Sequence, residues 1–136
     1  MSVVDHIIIA VEDLEKASQD YALMLGRAPS WRGTHPDYGS ANTLFRLDNC
    51  YLELLTANGQ GWAGDMVRGV LEARGQSLCA LIFATDDCEA FLENARAQGL
   101  KAFVMKVLLG RARRASSASN MMAAGWSLVT LPCATR

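Results

Sequence analysis

Two side chains in this 136-residue chain stand where they can do chemistry. His6 lies in a run rich in β-branched residues, His6-Ile-Ile-Ile-Ala-Val11. An imidazole there can act as a ligand, as a general base near neutral pH, or as a strand-end group bonded to a neighbour. Glu53 sits among Tyr51, Leu52, Leu54 and Leu55. A carboxylate so flanked is costly to bury unless it is paired or faces a polar cleft. One pairing is legible directly: Arg46, just before the turn on the facing strand, would make a purely architectural cross-strand pair with it.

These groups depend on the elements that carry them. The β-branched segment from His6 to Val11 predicts a strand, and Glu12-Asp13 then opens a helix with Asp13 as N-cap. Leu14, Ala17, Tyr21, Met24 and Leu25 form one apolar stripe that ends at Gly26. Pro29, Gly33, Pro36 and Gly39 leave room for one short irregular strand around Ser30 to Arg32. Thr43 to Leu47 and Tyr51 to Leu55 read as a hairpin turning at Asp48-Asn49. Alternation sets His6, Ile8 and Ala10 on one face of their strand, and Tyr51, Glu53 and Leu55 on one face of theirs. The helix is expected to cover the Ile7/Ile9 and Leu52/Leu54 side.

The order begins again further on. Trp62, Met66, Val67, Val70 and Leu71 predict a connecting helix, Leu78 to Thr85 a strand, and Asp86 with Glu89 a capping box for a helix bearing Phe91, Leu92 and Ala95. Asp13 answers Asp87 and Gly26 answers Gly99, an imperfect internal repeat. Lys101 to Leu109 and Trp126 to Leu131 are two further strand candidates.

Composition narrows the function classes. Thirteen basic against fourteen acidic residues give a net charge of −1, which lacks the positive field of a nucleic-acid binder. No apolar run approaches a membrane span and no signal segment opens the chain, so a cytoplasmic protein is expected. Cys50, Cys79, Cys88 and Cys133 form no C-x-x-C pair and read as free thiols. The basic run Arg111 to Arg114 reads as a solvated loop.

The repeated β-α-β-β-β unit opening on His6-Ile-Ile-Ile-Ala-Val-Glu-Asp13-Leu14 resembles the vicinal oxygen chelate superfamily of glyoxalase I, extradiol dioxygenases and antibiotic-resistance proteins. His35-Pro-Asp-Tyr-Gly-Ser-Ala-Asn-Thr-Leu-Phe-Arg-Leu47 followed by Tyr51-Leu-Glu-Leu-Leu55 looks like its glyoxalase-like domain family. The resemblance implies an α+β fold of paired βαβββ modules: module one at about 3–58, a connecting helix at about 62–75 and module two at about 77–136. It implies a cleft with a divalent metal held by His6 on the first strand and by Glu53, a proton shuttle as well as a ligand, on the last. Zn, Fe(II), Mn and Ni all suit such a pair.

The second module departs from that pattern. Cys79 or Ala80 stands where His6 has its counterpart, and a final strand is expected to be missing, so module two is expected to be incomplete. Two protein ligands instead of three or four lower the expected metal affinity. The vacancy is expected to be filled by a second chain, as a homodimer, or by the tail near Met121 to Leu131.

His35, Asn42, Arg46 and Tyr51 are the substrate-binding candidates, Arg46 offering a two-pronged grip on a carboxylate or phosphate. Trp31 and Tyr38 are candidates for an aromatic wall. The functional expectation is metal-dependent lyase, isomerase or dioxygenase chemistry on a small oxygenated substrate. The alternatives are a metal-free protein that sequesters a small molecule, and an inactive truncated relative.

Overall fold

The computed structural model describes residues 3–85 and 87–100. The strand candidates beyond residue 100, the basic run at 111–114, the tail near Met121 and the cap expected at Asp86 lie outside them. The described residues fall into two compact units, Val4–Leu81 and a second that holds Val3, 82–85 and 87–100.

The first unit holds β1 (Val3–Ala10, which begins one residue earlier), α1 (Leu14–Leu25), β2 (Trp31–His35), a short 3-10 turn (Pro36–Tyr38), β3 (Ser40–Arg46), β4 (Tyr51–Ala57), α2 (Trp62–Arg74) and the start of β5 (Ser77–Ala84). The sheet order is β2-β3-β4-β1-β5. β4 runs parallel to β1 and antiparallel to β3, so it separates the first strand from the third.

The expected alternation holds. One face of the sheet carries Val11, Phe45 and Leu54, buried with Ala17 of α1 and flanked by Ile9, Leu14, Tyr21, Leu25 and Leu52. Side chains of Leu/Phe size bury for roughly 1.5–3 kcal/mol each, which fixes α1 on this side. The stripe needs one correction: Met24 and Leu23 are exposed, and Ser18 is fully buried instead. Steps of about 100° per residue put Ser18 in line with Leu14 and Leu25 and turn Met24 aside. Ser18 Oγ donates to the Leu14 carbonyl and lies 2.9 Å from the Thr43 hydroxyl, so its burial leaves no bare oxygen.

The helix ends follow the sequence closely. Asp13 Oδ1 accepts from Lys16 N at 2.9 Å, and Gly26 closes α1 in the left-handed region at φ 63°. The strand before the 3-10 turn is longer than expected. β2 runs through Gly33 to His35 and is paired with β3 at every residue. Glycine is tolerated there because other groups occupy its side-chain space: an added Cβ would lie 2.9 Å from Trp31 Nε1 and 3.1 Å from Asn42 Oδ1. The hairpin turns between Arg46 and Tyr51, with Leu47 N donating to Cys50 O.

α2 docks through glycine. A Cβ on Gly64 would sit 2.4 Å from the Gly39 carbonyl oxygen, and one on Gly61 would sit 2.4 Å from the Tyr38 carbonyl carbon. The buried residues of α2 are Ala63, Gly64 and Val67; of the expected stripe Val67 is buried, Met66, Val70 and Leu71 are half-buried, and Trp62 is exposed.

The second unit is described over the end of β5 and α3 (Cys88–Ala97). The cap of α3 is Asp87, whose Oδ1 accepts from Ala90 N at 2.9 Å. The residue three beyond Asp87 is alanine, so this cap carries no reciprocal bond from a capping box. Phe83 and Phe91 pack with centroids 6.4 Å apart. Gly99, at φ 80°, follows the helix as expected. Among the described residues no helix is long and apolar enough to cross a membrane.

Candidate functional site

The register assembles the site on the face of the sheet opposite α1. Ile8 is the partner of Glu53 and His6 the partner of Tyr51 across β1 and β4; Leu44 faces Glu53 and Arg46 faces Tyr51 across β3 and β4. His6 and Glu53 are therefore diagonal neighbours on adjacent strands. Nε2 of His6 lies 3.4 Å from Oε2 of Glu53, with both side chains nearly covered (10% and 13% exposed). The other carboxylate oxygen, Oε1, accepts from Asn42 Nδ2 at 2.7 Å. Because a carboxylate needs a donor, this bond sets the amide's orientation and turns Asn42 Oδ1 away, where it is buried with no hydrogen-bond partner.

Two further groups close around the imidazole. Asp5 Oδ2 is hydrogen-bonded to His6 Nδ1 at 2.6 Å, and both residues are buried. Tyr51 stacks on the imidazole with centroids 4.4 Å apart and planes 11° from parallel. Burial raises the Tyr51 hydroxyl pKa above its ordinary value, and the negative charges of Asp5 and Glu53 and a hydrogen bond to Asp5 raise it further against the opposing charge of Arg46. The phenol stays neutral.

The sequence candidates thus separate. His6, Glu53, Asn42 and Tyr51 converge, and Arg46 lies on the same face within electrostatic reach of Tyr51. Arg46 faces Tyr51 in the register, while Asn42 holds Glu53. His35 ends β2 opposite Ser40, which pairs with Ala57, so it lies two strands across and four residues along from Glu53. At strand spacings of ~4.8 Å and rises of ~3.4 Å per residue, that is about 16 Å away. Of the aromatic wall, Trp31 is exposed on the edge strand, whereas Tyr38 packs against Trp62 with centroids 5.7 Å apart.

Asp5 is the residue that sequence reasoning missed. Strand alternation assigns it to the far face, and its only signal is adjacency to His6. Cys79 is a second. Burial raises its thiol pKa, the Arg74 charge opposes this and the Glu53 charge adds to it, so the sulfur lies in the field of the site while Ala80 is buried. Cys50 and Cys79 are free thiols.

The donor geometry of the pair suits a metal ion. Two ligands each ~2.0–2.2 Å from one divalent ion lie roughly 3.0–3.5 Å apart, and the His6–Glu53 separation falls in that window. A carboxylate on the remote nitrogen of a ligating histidine is also the usual outer-shell partner. The pair fits an ion as two of its ligands. Among the described residues no group of three or more His, Cys, Asp or Glu side chains is arranged to hold one.

Comparison with known structures gives a consistent fold. A Streptomyces coelicolor methylmalonyl-CoA epimerase variant in complex with 2-nitronate-propionyl-CoA is similar with a TM-score of 0.64 and 20% identity, over 79% of each chain. The methylmalonyl-CoA epimerase of Mycobacterium tuberculosis is similar with a TM-score of 0.60 and 22% identity, over 81% of this chain and 71% of that one. A hypothetical protein of Bacillus halodurans is similar with a TM-score of 0.65 and 16% identity, over 75% and 72%. At these identities the likeness establishes the α+β fold alone. No curated protein matches the sequence. Residues 4–135 match the glyoxalase-like domain family, and the chain, with His6 on its first strand and Glu53 on its fourth, belongs to that family.

Proposed function

We propose that this protein is an isomerase that moves a proton on the carbon next to a carbonyl of a small oxygenated substrate. The observation that carries the reading is the 3.4 Å approach of His6 Nε2 to Glu53 Oε2 on a nearly closed sheet face. The epimerases that share the fold add support, since one was solved in complex with methylmalonyl-CoA. An acyl thioester is therefore a first substrate class to test, with 2-oxo aldehydes beside it.

In this reading Glu53 Oε2 takes the proton from the substrate carbon. The C–H electron pair moves into the carbon–carbon bond and the carbonyl pair onto its oxygen, giving an enolate. Delivery of a proton to the opposite face of the same carbon restores the carbonyl and gives the epimer. Asn42 keeps Oε1 occupied, so Oε2 remains the oxygen presented for transfer. Tyr51, Asn42 and Arg46 border the reacting end, and His35 meets the remote end of a longer substrate. A divalent ion held by His6 and Glu53 supplies, when bound, Lewis-acid polarisation of the carbonyl. A homodimer forms part of the proposal, and light scattering of the purified protein tests it.

The test is hydrogen exchange in heavy water, read by NMR, on acyl thioesters and 2-oxo aldehydes with Zn, Co, Mn or Ni supplied in turn. Exchange is expected with at least one metal, falling about 10²–10⁴-fold in Glu53→Gln. Lack of exchange under every metal overturns the reading. A metal-free binding protein is the second reading, favoured by the two-donor count among the described residues. It predicts that a small aromatic or dicarbonyl compound raises the melting temperature with chelator present.

A further inference from the structure

We propose that Asp5 is the positioning residue of this site: by accepting a hydrogen bond from His6 Nδ1 it fixes the imidazole with Nε2 turned to Glu53. The inference deepens the isomerase reading and takes its functional meaning from it, whereas the geometry stands on its own.

A carboxylate has no hydrogen to offer, so the 2.6 Å contact between Asp5 Oδ2 and His6 Nδ1 needs the proton on nitrogen. Asp5 is 6% and His6 8% exposed, so water competes poorly for either partner. A neutral imidazole has one N–H. Once it is committed at Nδ1, Nε2 is a lone pair, and that is the atom facing Glu53 Oε2. Two lone-pair atoms 3.4 Å apart hold their separation by sharing something positive, either a proton or a cation. The arrangement thus suits His6 Nε2 to share either with Glu53 Oε2.

Tyr51 completes the support. Its ring lies parallel to the imidazole at 4.4 Å, and its hydroxyl donates to the same Asp5 carboxylate. Asp5 restrains the ring in its plane and Tyr51 restrains it across the plane. Together they leave one orientation open, the one in which Nε2 points along the sheet face to β4.

The chain has only two histidines, so a long-range proton–nitrogen correlation spectrum of labelled, chelator-treated protein resolves both, with His35 as internal reference. With the imidazole neutral, His6 is expected to carry its proton on Nδ1. A proton on Nε2 in the unaltered protein overturns the proposal, and this measurement needs no variant to fold. In Asp5→Asn the population is expected to move toward the Nε2–H form, with zinc affinity falling roughly 10–100-fold. Tyr51→Phe, which keeps the stack and removes the bond to Asp5, is expected to shift it in the same direction by less. An unchanged tautomer ratio in whichever of these variants folds also overturns the proposal. Glu53→Gln separates the two claims: it is expected to abolish exchange while the Nδ1–H form persists. Failure of exchange therefore leaves this inference standing, and an Nε2–H tautomer sinks it with the isomerase reading intact.

Discussion

His6 Nε2 and Glu53 Oε2 face each other at 3.4 Å across the β1–β4 pair, although forty-seven positions of sequence separate them. Parallel pairing of Ile8 with Glu53 produces the approach. A one-residue slip of either strand would send one of the two to the α1 side.

That relationship makes metal affinity a two-residue property. Zinc or cobalt affinity, measured by competition with a chelator, is expected to fall by at least roughly tenfold in His6→Ala and in Glu53→Gln, as expected when a ligand is lost from a site already short of donors. The double variant is expected to bind no better than the weaker single variant. Unaltered affinity in both single variants would remove the pair as ligands.

Tyr51 makes the fold sensitive to alkali. Its folded-state pKa is raised, so its contribution to stability is complete below the ordinary tyrosine pKa of about 10 and drains away as pH rises beyond it. Urea unfolding should show stability falling above about pH 10, and Tyr51→Phe should flatten that fall. At neutral pH the same variant should cost about 0.5–1.5 kcal/mol through loss of the bond to Asp5.

Cys79 reports on the charge of Glu53 from β5, with β1 between them. Burial and the Glu53 charge raise its thiol pKa, so alkylation at neutral pH should be slow and should accelerate as pH climbs past the ordinary thiol range. Glu53→Gln removes one of those causes and should speed Cys79 modification at fixed pH, followed by peptide mass spectrometry. No change in rate would place the sulfur outside the field of the carboxylate.

Two glycines of α2 should respond oppositely to alanine. Gly64→Ala drives a methyl to 2.4 Å from the Gly39 carbonyl oxygen, and overpacking of this kind costs about 1–3 kcal/mol. Gly69 has nothing within 4 Å of an added Cβ, so Gly69→Ala should gain up to about 1 kcal/mol from helix propensity. Denaturant midpoints of the two variants test the pair together.

The local signals were legible because short-range physics sets them. Asp13 and Gly26 bracket α1 through bonds to residues within one turn, and the period of two sets His6 on one face with Ile8 along β1 and Glu53 on one face with Tyr51 along β4. The repeat of Asp13 at Asp87 has the same basis, each aspartate capping the amide three residues on. Partners across strands depended on register and on rotamers that no periodicity encodes. Asn42 reaches Glu53 from a position diagonal to it, while Leu44 is the residue directly opposite. Asp5 reaches His6 from the residue before it, against the alternation of the strand. β2 persists through Gly33 because Trp31 and Asn42 lie over the space a side chain would take. Sequence alone determined which residues share a face, since backbone geometry fixes that one strand at a time. The tertiary structure decided which of them touch, because contact distance is set by how separate strands pair and how their side chains pack.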